Sequence, residues 1–205
     1  MKESLLVIGG GIAGLRACLD AAKAGAHVIL VEKAPTVGGK MAAVLDEESP
    51  SVDLAPGVEI PRMDAIGQRE DIELFPLAEV VKLEGEPASG GFNATIRQRA
   101  RFVTDACTQC NKCRQVCPVV VPNEFDSGMA FRKAIYSPLR NSVPKTYVID
   151  IHSCLNDPPN YLPCQRCVEV CEPHCIDFLM PAEQVFEREA AAVIVAVGYD
   201  LPEPG

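Results

Sequence analysis

Between Cys107 and Cys117 the chain reads Cys107-Thr-Gln-Cys110-Asn-Lys-Cys113-Arg-Gln-Val-Cys117-Pro118. No other stretch limits the fold as tightly. Three thiols spaced three apart can gather round one compact cluster. A fourth, four residues on and followed by proline, is carried away toward a second cluster; this is the ligand run of a two-cluster iron–sulfur protein. Such a run demands a partner, which arrives as Cys164-Gln-Arg-Cys167-Val-Glu-Val-Cys171, with Cys154 and Cys175 on either side.

Cys113-Arg-Gln-Val-Cys117 and Cys167-Val-Glu-Val-Cys171 agree in spacing and in the valine before the last cysteine, and lie 54 positions apart, so the segment is internally duplicated. In ferredoxins of this build the fourth cysteine of each run ligates the other run's cluster. The assignment is therefore Cys107, Cys110, Cys113 and Cys171 for one 4Fe–4S cluster, and Cys164, Cys167, Cys117 and one more for the other. Regular spacing would put the missing ligand at Tyr161, which is no ligand. Cys154 takes the place if the loop carries a seven-residue insertion, as some two-cluster ferredoxins do; Cys175 is its competitor and otherwise a buried spare thiol. Zinc sites pair a Cys-x2-4-Cys knuckle with a distant second pair and leave the third and fourth cysteines of each run unexplained. A dithiol redox motif does not explain runs that occur twice. Cys18 reads as a packed core thiol, and His27, His152 and His174 have no partner at ligand spacing.

The formal charge of −9 leaves every cysteine neutral. Two oxidised clusters with their thiolates take it to about −13. An acidic surface of that kind is the opposite of what phosphate backbones need, which argues against nucleic acid and for protein redox partners. The opening apolar run is too short for a signal peptide, and no stretch reaches the roughly 20 apolar residues of a membrane helix. Without an export signal, cysteines at these intervals read as metal ligands rather than disulfides, in a cytoplasmic protein without direct membrane insertion.

The N-terminal third carries the second signal. Residues 4 to 8 form an apolar strand, Gly9-Gly10-Gly11-Ile12-Ala13-Gly14 turns into a helix running to about Lys23, Gly25 ends it, and a strand from His27 to Val31 closes on Glu32. This is G-x-G-x-x-G with an acidic residue eighteen positions on, inside a strand–helix–strand unit. Gly9 allows the tight turn, Gly11 the approach of a pyrophosphate, and Gly14 the close packing of helix on strand. The helix N-terminus, opened by Ile12 and Ala13, offers amides to phosphate, and Glu32 offers a carboxylate to a ribose. Glu32 argues against a 2'-phosphate. Between FAD and NAD, the arm Glu32-Lys33-Ala-Pro-Thr-Val-Gly38-Gly39 resembles that of glutathione-reductase-like flavoproteins and favours FAD.

Further on, Pro50, Pro56 and Gly57 mark loops, Val58 to Met63 is a short helix or an extended segment, and Ile72 to Phe75 is a third parallel strand. Glu79–Glu84 and Phe92–Arg99 form a hairpin with Phe92, Ala94 and Ile96 on one face. Arg97, Arg99 and Arg101 are either a docking patch or the solvated face of that strand. Val185 to Arg188 is another strand. Ala191 to Val197 reads as a buried strand ending at Gly198, resembling the A-T-G-x-x-P element that returns under FAD, with Val197 in the Thr position.

The whole chain resembles the A subunit of heterodisulfide reductase and related flavoproteins of anaerobic electron-transfer complexes. The resemblance is carried by the glycine-rich start through Gly39, Cys117-Pro-Val-Val-Val-Pro-Asn-Glu-Phe-Asp126, Arg132-Lys-Ala-Ile-Tyr136, Val143-Pro-Lys-Thr-Tyr-Val-Ile-Asp150 and Cys175-Ile-Asp-Phe178. It implies an α/β fold: an incomplete Rossmann-like FAD domain of the glutathione/thioredoxin-reductase type, discontinuous over 1–103 and 182–205, with an α+β 2[4Fe-4S] ferredoxin module inserted over 104–181. It also implies an oxidoreductase subunit that passes electrons between FAD (Gly9, Gly11, Ile12, Ala13, Gly14, Glu32, Lys33, Gly38, Gly39, Gly198) and two clusters, and on to other redox subunits, with a homodimer left open. The family often has cysteines near Val52–Pro56 for a further cluster, and this chain has none; the family fold also continues beyond Pro202. No residue reads as a general acid, base or nucleophile. The competing reading is a non-catalytic wiring module on a nucleotide fold that no longer holds flavin.

Overall fold

The computed structural model describes residues 4–44, 63–86, 91–126, 128–156 and 163–199. The loops expected around Pro50 and at Pro56-Gly57, the segment expected from Val58 as far as residue 62, and the insertion around Tyr161 lie outside these. In chain order the elements are β1 (Ser4–Ile8), α1 (Ile12–Lys23), β2 (His27–Glu32), α2 (Gly39–Val44), α3 (Met63–Gly67), β3 (Ile72–Pro76), β4 (Ala78–Glu86) and β5 (Gly91–Arg99). There follow α4 (Lys112–Val116), β6 (Val121–Pro122), β7 (Phe131–Arg132), β8 (Ile135–Tyr136), β9 (Val148–Ile149), α5 (Arg166–Glu169), β10 (Glu183–Ala190) and β11 (Ala192–Val195).

β1, β2, β3 and β11 form a parallel sheet in the order β11-β1-β2-β3, and β4, β5 and β10 an antiparallel sheet in the order β10-β5-β4. The apolar runs of β1 and β2 are continuous because both faces are covered. One face packs Val7, Val28 and Leu30 against Leu15, Cys18 and Ala22 of α1. The other packs Leu6, Ile29 and Val31, with Phe75 of β3, against Ala78, Ala94 and Ile96 of the antiparallel layer. Each fully buried Leu or Ile here contributes about 1.5–3 kcal/mol. Phe75 meets Phe186 at 5.2 Å, and Arg188 on β10 donates to Glu73 on β3 (Nε to Oε2, 2.9 Å), tying the two layers together. Cys18 lies fully inside, as expected, and burial pushes its thiol up to about 12.

Two expectations change. β11 is parallel to β1, but it is the sheet's edge and is not buried: Val195 is 67% and Val197 69% exposed. Its outer side has no neighbouring strand among the described residues, so an apolar run here marks a face that the described chain leaves uncovered. The basic series also divides. Arg97 is exposed and pairs with Glu79, whereas Arg101 lies beyond the strand with its guanidinium turned inward, donating through Nη2 to the Pro35 carbonyl. Burial lowers Arg101 to about 10, and its Nη1 has no partner among the described residues. Alternation predicts a solvated face only while the strand lasts, and β5 ends at Arg99.

The cysteine-rich segment connects β5 to β10, which are antiparallel neighbours paired from Arg99 with Glu183 to Phe92 with Ala190. Its two ends run side by side: Ala100 N donates to Ala182 O (2.8 Å), Val103 bridges Ile176, and Thr104 N donates to Cys175 O (2.8 Å). Within it the strands are two residues long, and the helices α4 and α5, whose starts are offset by the same 54 positions as the cysteine runs, pack on each other.

Candidate flavin and thiol sites

The glycine loop sits where four pieces of chain meet. Gly9 has φ +104°, and a Cβ on it would lie 2.3 Å from the Ala196 carbonyl; one on Gly14 would lie 1.9 Å from the Gly9 carbonyl. Neither position admits a side chain. Gly11, at the start of α1, is different, because a Cβ there would meet nothing within 4 Å. The backbone is thus open at the helix N-terminus. No acidic residue occupies the first turn of α1, so the positive end of the helix is left for an anion.

The arm folds back over this loop. Gly38 N donates to Gly10 O (2.7 Å), and a Cβ on Gly39 would lie 3.0 Å from the Gly11 Cα. Glu32 is buried, and each of its carboxylate oxygens accepts a backbone proton: Oε2 from Gly10 N (2.6 Å) and Oε1 from Ala34 N (2.7 Å). The carboxylate expected to face a ribose therefore braces the loop as well, and each oxygen keeps a second lone pair for a ligand. Ile12 is half-buried, Ala13 and Lys33 are exposed, and the Lys33 carbonyl accepts from Arg99 Nη2 (3.2 Å). Gly198, at φ +71°, follows Ala196 and Val197 out of the edge strand. Lys40 Nζ donates to the Tyr199 carbonyl and lies 4.5 Å over its ring, closing the arm on the tail. Reading the sequence missed Lys40, Ala196 and Tyr199; only the A-T-G-like tail hinted at the second of them.

The arm also holds the cysteine-rich segment. Thr36 Oγ1 accepts from Val143 N (2.9 Å), and Val37 N donates to Val143 O (3.3 Å), with Val37 fully buried. A stretch of chain just beyond Glu32 is thereby fixed to the sulfur-rich part of the molecule.

All ten cysteines lie among the described residues, and none is in a disulfide. Also among the described residues, no three His, Cys, Asp or Glu side chains converge as a single metal ion would need. The thiols instead stand around two small cavities. The first is lined by Cys107, Cys110, Cys113, Cys171 and Cys175 with Val103, Tyr147 and Ile176. The second is lined by Cys117, Cys154, Cys164 and Cys167 with Ala134, Ile149 and Leu155. Ile135 lines both and is their common wall. Cys171 of the second run therefore stands with the first three thiols of the first run, and Cys117 of the first run with those of the second. Cys154 lies in the second cavity. Cys175 does not; its Sγ is 3.3 Å from that of Cys171, in the first.

A cubane takes one thiolate at each iron, so thiols ringing a space, with apolar walls behind them, are the donor set such a cluster fits. Burial pushes the thiols of Cys113 up to about 11 and of Cys167 to about 12. Coordination deprotonates them. Short bonds frame the cavities, among them Tyr147 Oη to Asn111 Oδ1 (2.8 Å), with Asn111 in the left-handed region at φ 68°, and Cys164 N to Asn156 Oδ1 (2.9 Å).

A family model described as FAD dependent oxidoreductase matches residues 4–50, the glycine loop, Glu32 and the arm. Over 201 residues the chain is 40% identical to the iron-sulfur A subunit of the CoB--CoM heterodisulfide reductase of Methanocaldococcus jannaschii, covering 98% of this chain and 29% of that protein. Over 205 residues it is 42% identical to an iron-sulfur A subunit of the CoB--CoM heterodisulfide reductase of Methanopyrus kandleri, covering 100% of this chain and 30% of the relative. It is 36% identical to the A subunit of the H(2):CoB-CoM heterodisulfide,ferredoxin reductase of Methanothermobacter marburgensis, again over 100% of this chain and 29% of the relative. The chain thus spans about three-tenths of the length of the curated relatives it matches.

Proposed function

We propose that this chain, a relative of the A subunits of the heterodisulfide reductases, is an electron-transfer oxidoreductase unit that joins an FAD site to two 4Fe–4S clusters. The observation that carries this reading is the division of the thiols into two sets around neighbouring cavities, each set drawing on both cysteine runs. In this reading residues 1–103 and 182–205 form a discontinuous FAD domain, and 104–181 an inserted ferredoxin-like module. The adjacent ends of the segment support that division.

FAD, when bound, supplies two-electron chemistry, and the clusters supply one-electron chemistry. The residues of the chain bind and orient. Gly11 and the first amides of α1 receive the pyrophosphate, Glu32 fixes the loop and the ribose, and Gly38 and Gly39 keep the arm close over both. Cys107, Cys110, Cys113 and Cys171 hold one cluster, and Cys117, Cys154, Cys164 and Cys167 the other. The walls formed by Ile135, Tyr147, Ile149 and Ile176 put hydrocarbon on the inner side of each cavity, which would help set how readily a cluster there accepts an electron. Electrons leave to redox partner subunits; the names of the relatives, all subunits of reductases, support this. No helix among the described residues is long and apolar enough to cross a membrane.

The test is the absorbance and cofactor content of anaerobically purified protein. The reading expects extractable FAD at about one per chain together with about eight irons. Iron and sulfide without flavin would instead support a wiring module on a nucleotide fold. Protein with neither would end the proposal.

A further inference from the structure

Five thiols line the first cavity, and a cubane uses four. The fifth is Cys175, which is 3% exposed and has its Sγ 3.3 Å from that of Cys171. The second cavity has only its four. The duplication makes the difference legible: with the runs superposed at an offset of 54, the position of Cys175 corresponds to Val121, which carries no thiol and sits in β6.

We propose that Cys175 is a resident thiol that stays off the metal and donates its S–H to the ligand sulfur of Cys171, raising the reduction potential of the first cluster. This rests on the two-cluster reading given above. Four irons are served by four cysteines, which leaves Cys175 without a metal, and of the two sulfurs 3.3 Å apart it is the one whose hydrogen is not displaced by iron. A hydrogen bond to a ligand sulfur draws off negative charge and favours the reduced, more negative cluster. An S–H is a weak donor, and the effect is correspondingly moderate. The two clusters thereby differ in potential although their ligand runs are near-copies.

The experiment compares wild-type protein with Cys175→Ala and Cys175→Ser, prepared anaerobically. It reads iron per chain and, by EPR-monitored potentiometric titration, the two one-electron transitions. The Ala variant is expected to keep the wild-type iron content while one transition moves down about tenfold in its reduction equilibrium, roughly 60 mV for one electron, and the other stays. The Ser variant, whose O–H also donates, is expected to restore that transition to within about threefold. Loss of about four irons in both variants would make Cys175 a ligand and overturn the proposal. Full iron with both transitions unmoved in the Ala variant would make it a bystander and overturn it equally. Wild-type protein without about eight irons would remove the two-cluster reading itself, a failure distinct from these two.

Discussion

The parallel sheet buries Leu6, Ile29 and Leu30 between α1 and a second sheet, while the segment joining β5 to β10 has strands of two residues and a core in which Cys113, Cys167, Cys171 and Cys175 stand among Phe102, Val103 and Ile135. The first region has a continuous apolar core on both faces of its sheet. The second places thiols where hydrocarbon would otherwise be, so on the two-cluster reading proposed above much of its stability comes from the metal. The lesson lies in how each region tolerates loss. The sheet depends on backbone clearance at its glycines, and the cysteine segment, on the proposed reading, on its clusters.

The largest expected effect follows from removing iron. Anaerobic chelation should collapse amide-exchange protection across 104–181 while β1, β2 and β3 stay protected, since metal binding there is folding free energy. Uniform loss across both regions would break the comparison, as would uniform retention. A smaller and opposite effect is expected from Gly14→Ala. Its Cβ would be forced to within 1.9 Å of the Gly9 carbonyl, a backbone atom that cannot swing aside. Thermal or denaturant unfolding should show destabilisation by about 3 kcal/mol, carried by the sheet, with the iron content of the folded protein unchanged.

Much of this was legible in the sequence, and the parts that were not share a cause. The strand–helix–strand start, the tight clearances at Gly9 and Gly14 and the hairpin follow from local periodicity and steric need, and they lie where expected. The crossing of Cys117 and Cys171 between cavities was also legible, because the duplication and the proline fix it. The location of Cys175 was not. Four residues after Cys171 the chain turns at Pro173 and at His174, which has φ +50°, and this returns the thiol to the first cavity; spacing alone carries no information about such a turn. Arg101 was misread for a related reason, since alternation ends with β5. The apolar run of β11 was read as buried because hydrophobicity reports a need for cover, not its source, and the described residues leave Val195 and Val197 open.

The central claim is that the two cysteine runs build two cluster sites with Cys154 completing the second. Iron and sulfide per chain in wild type and Cys154→Ala test it most directly. About eight irons in wild type, falling to about four in the variant with the protein still folded, is the expected result. Eight irons retained in Cys154→Ala would contradict it.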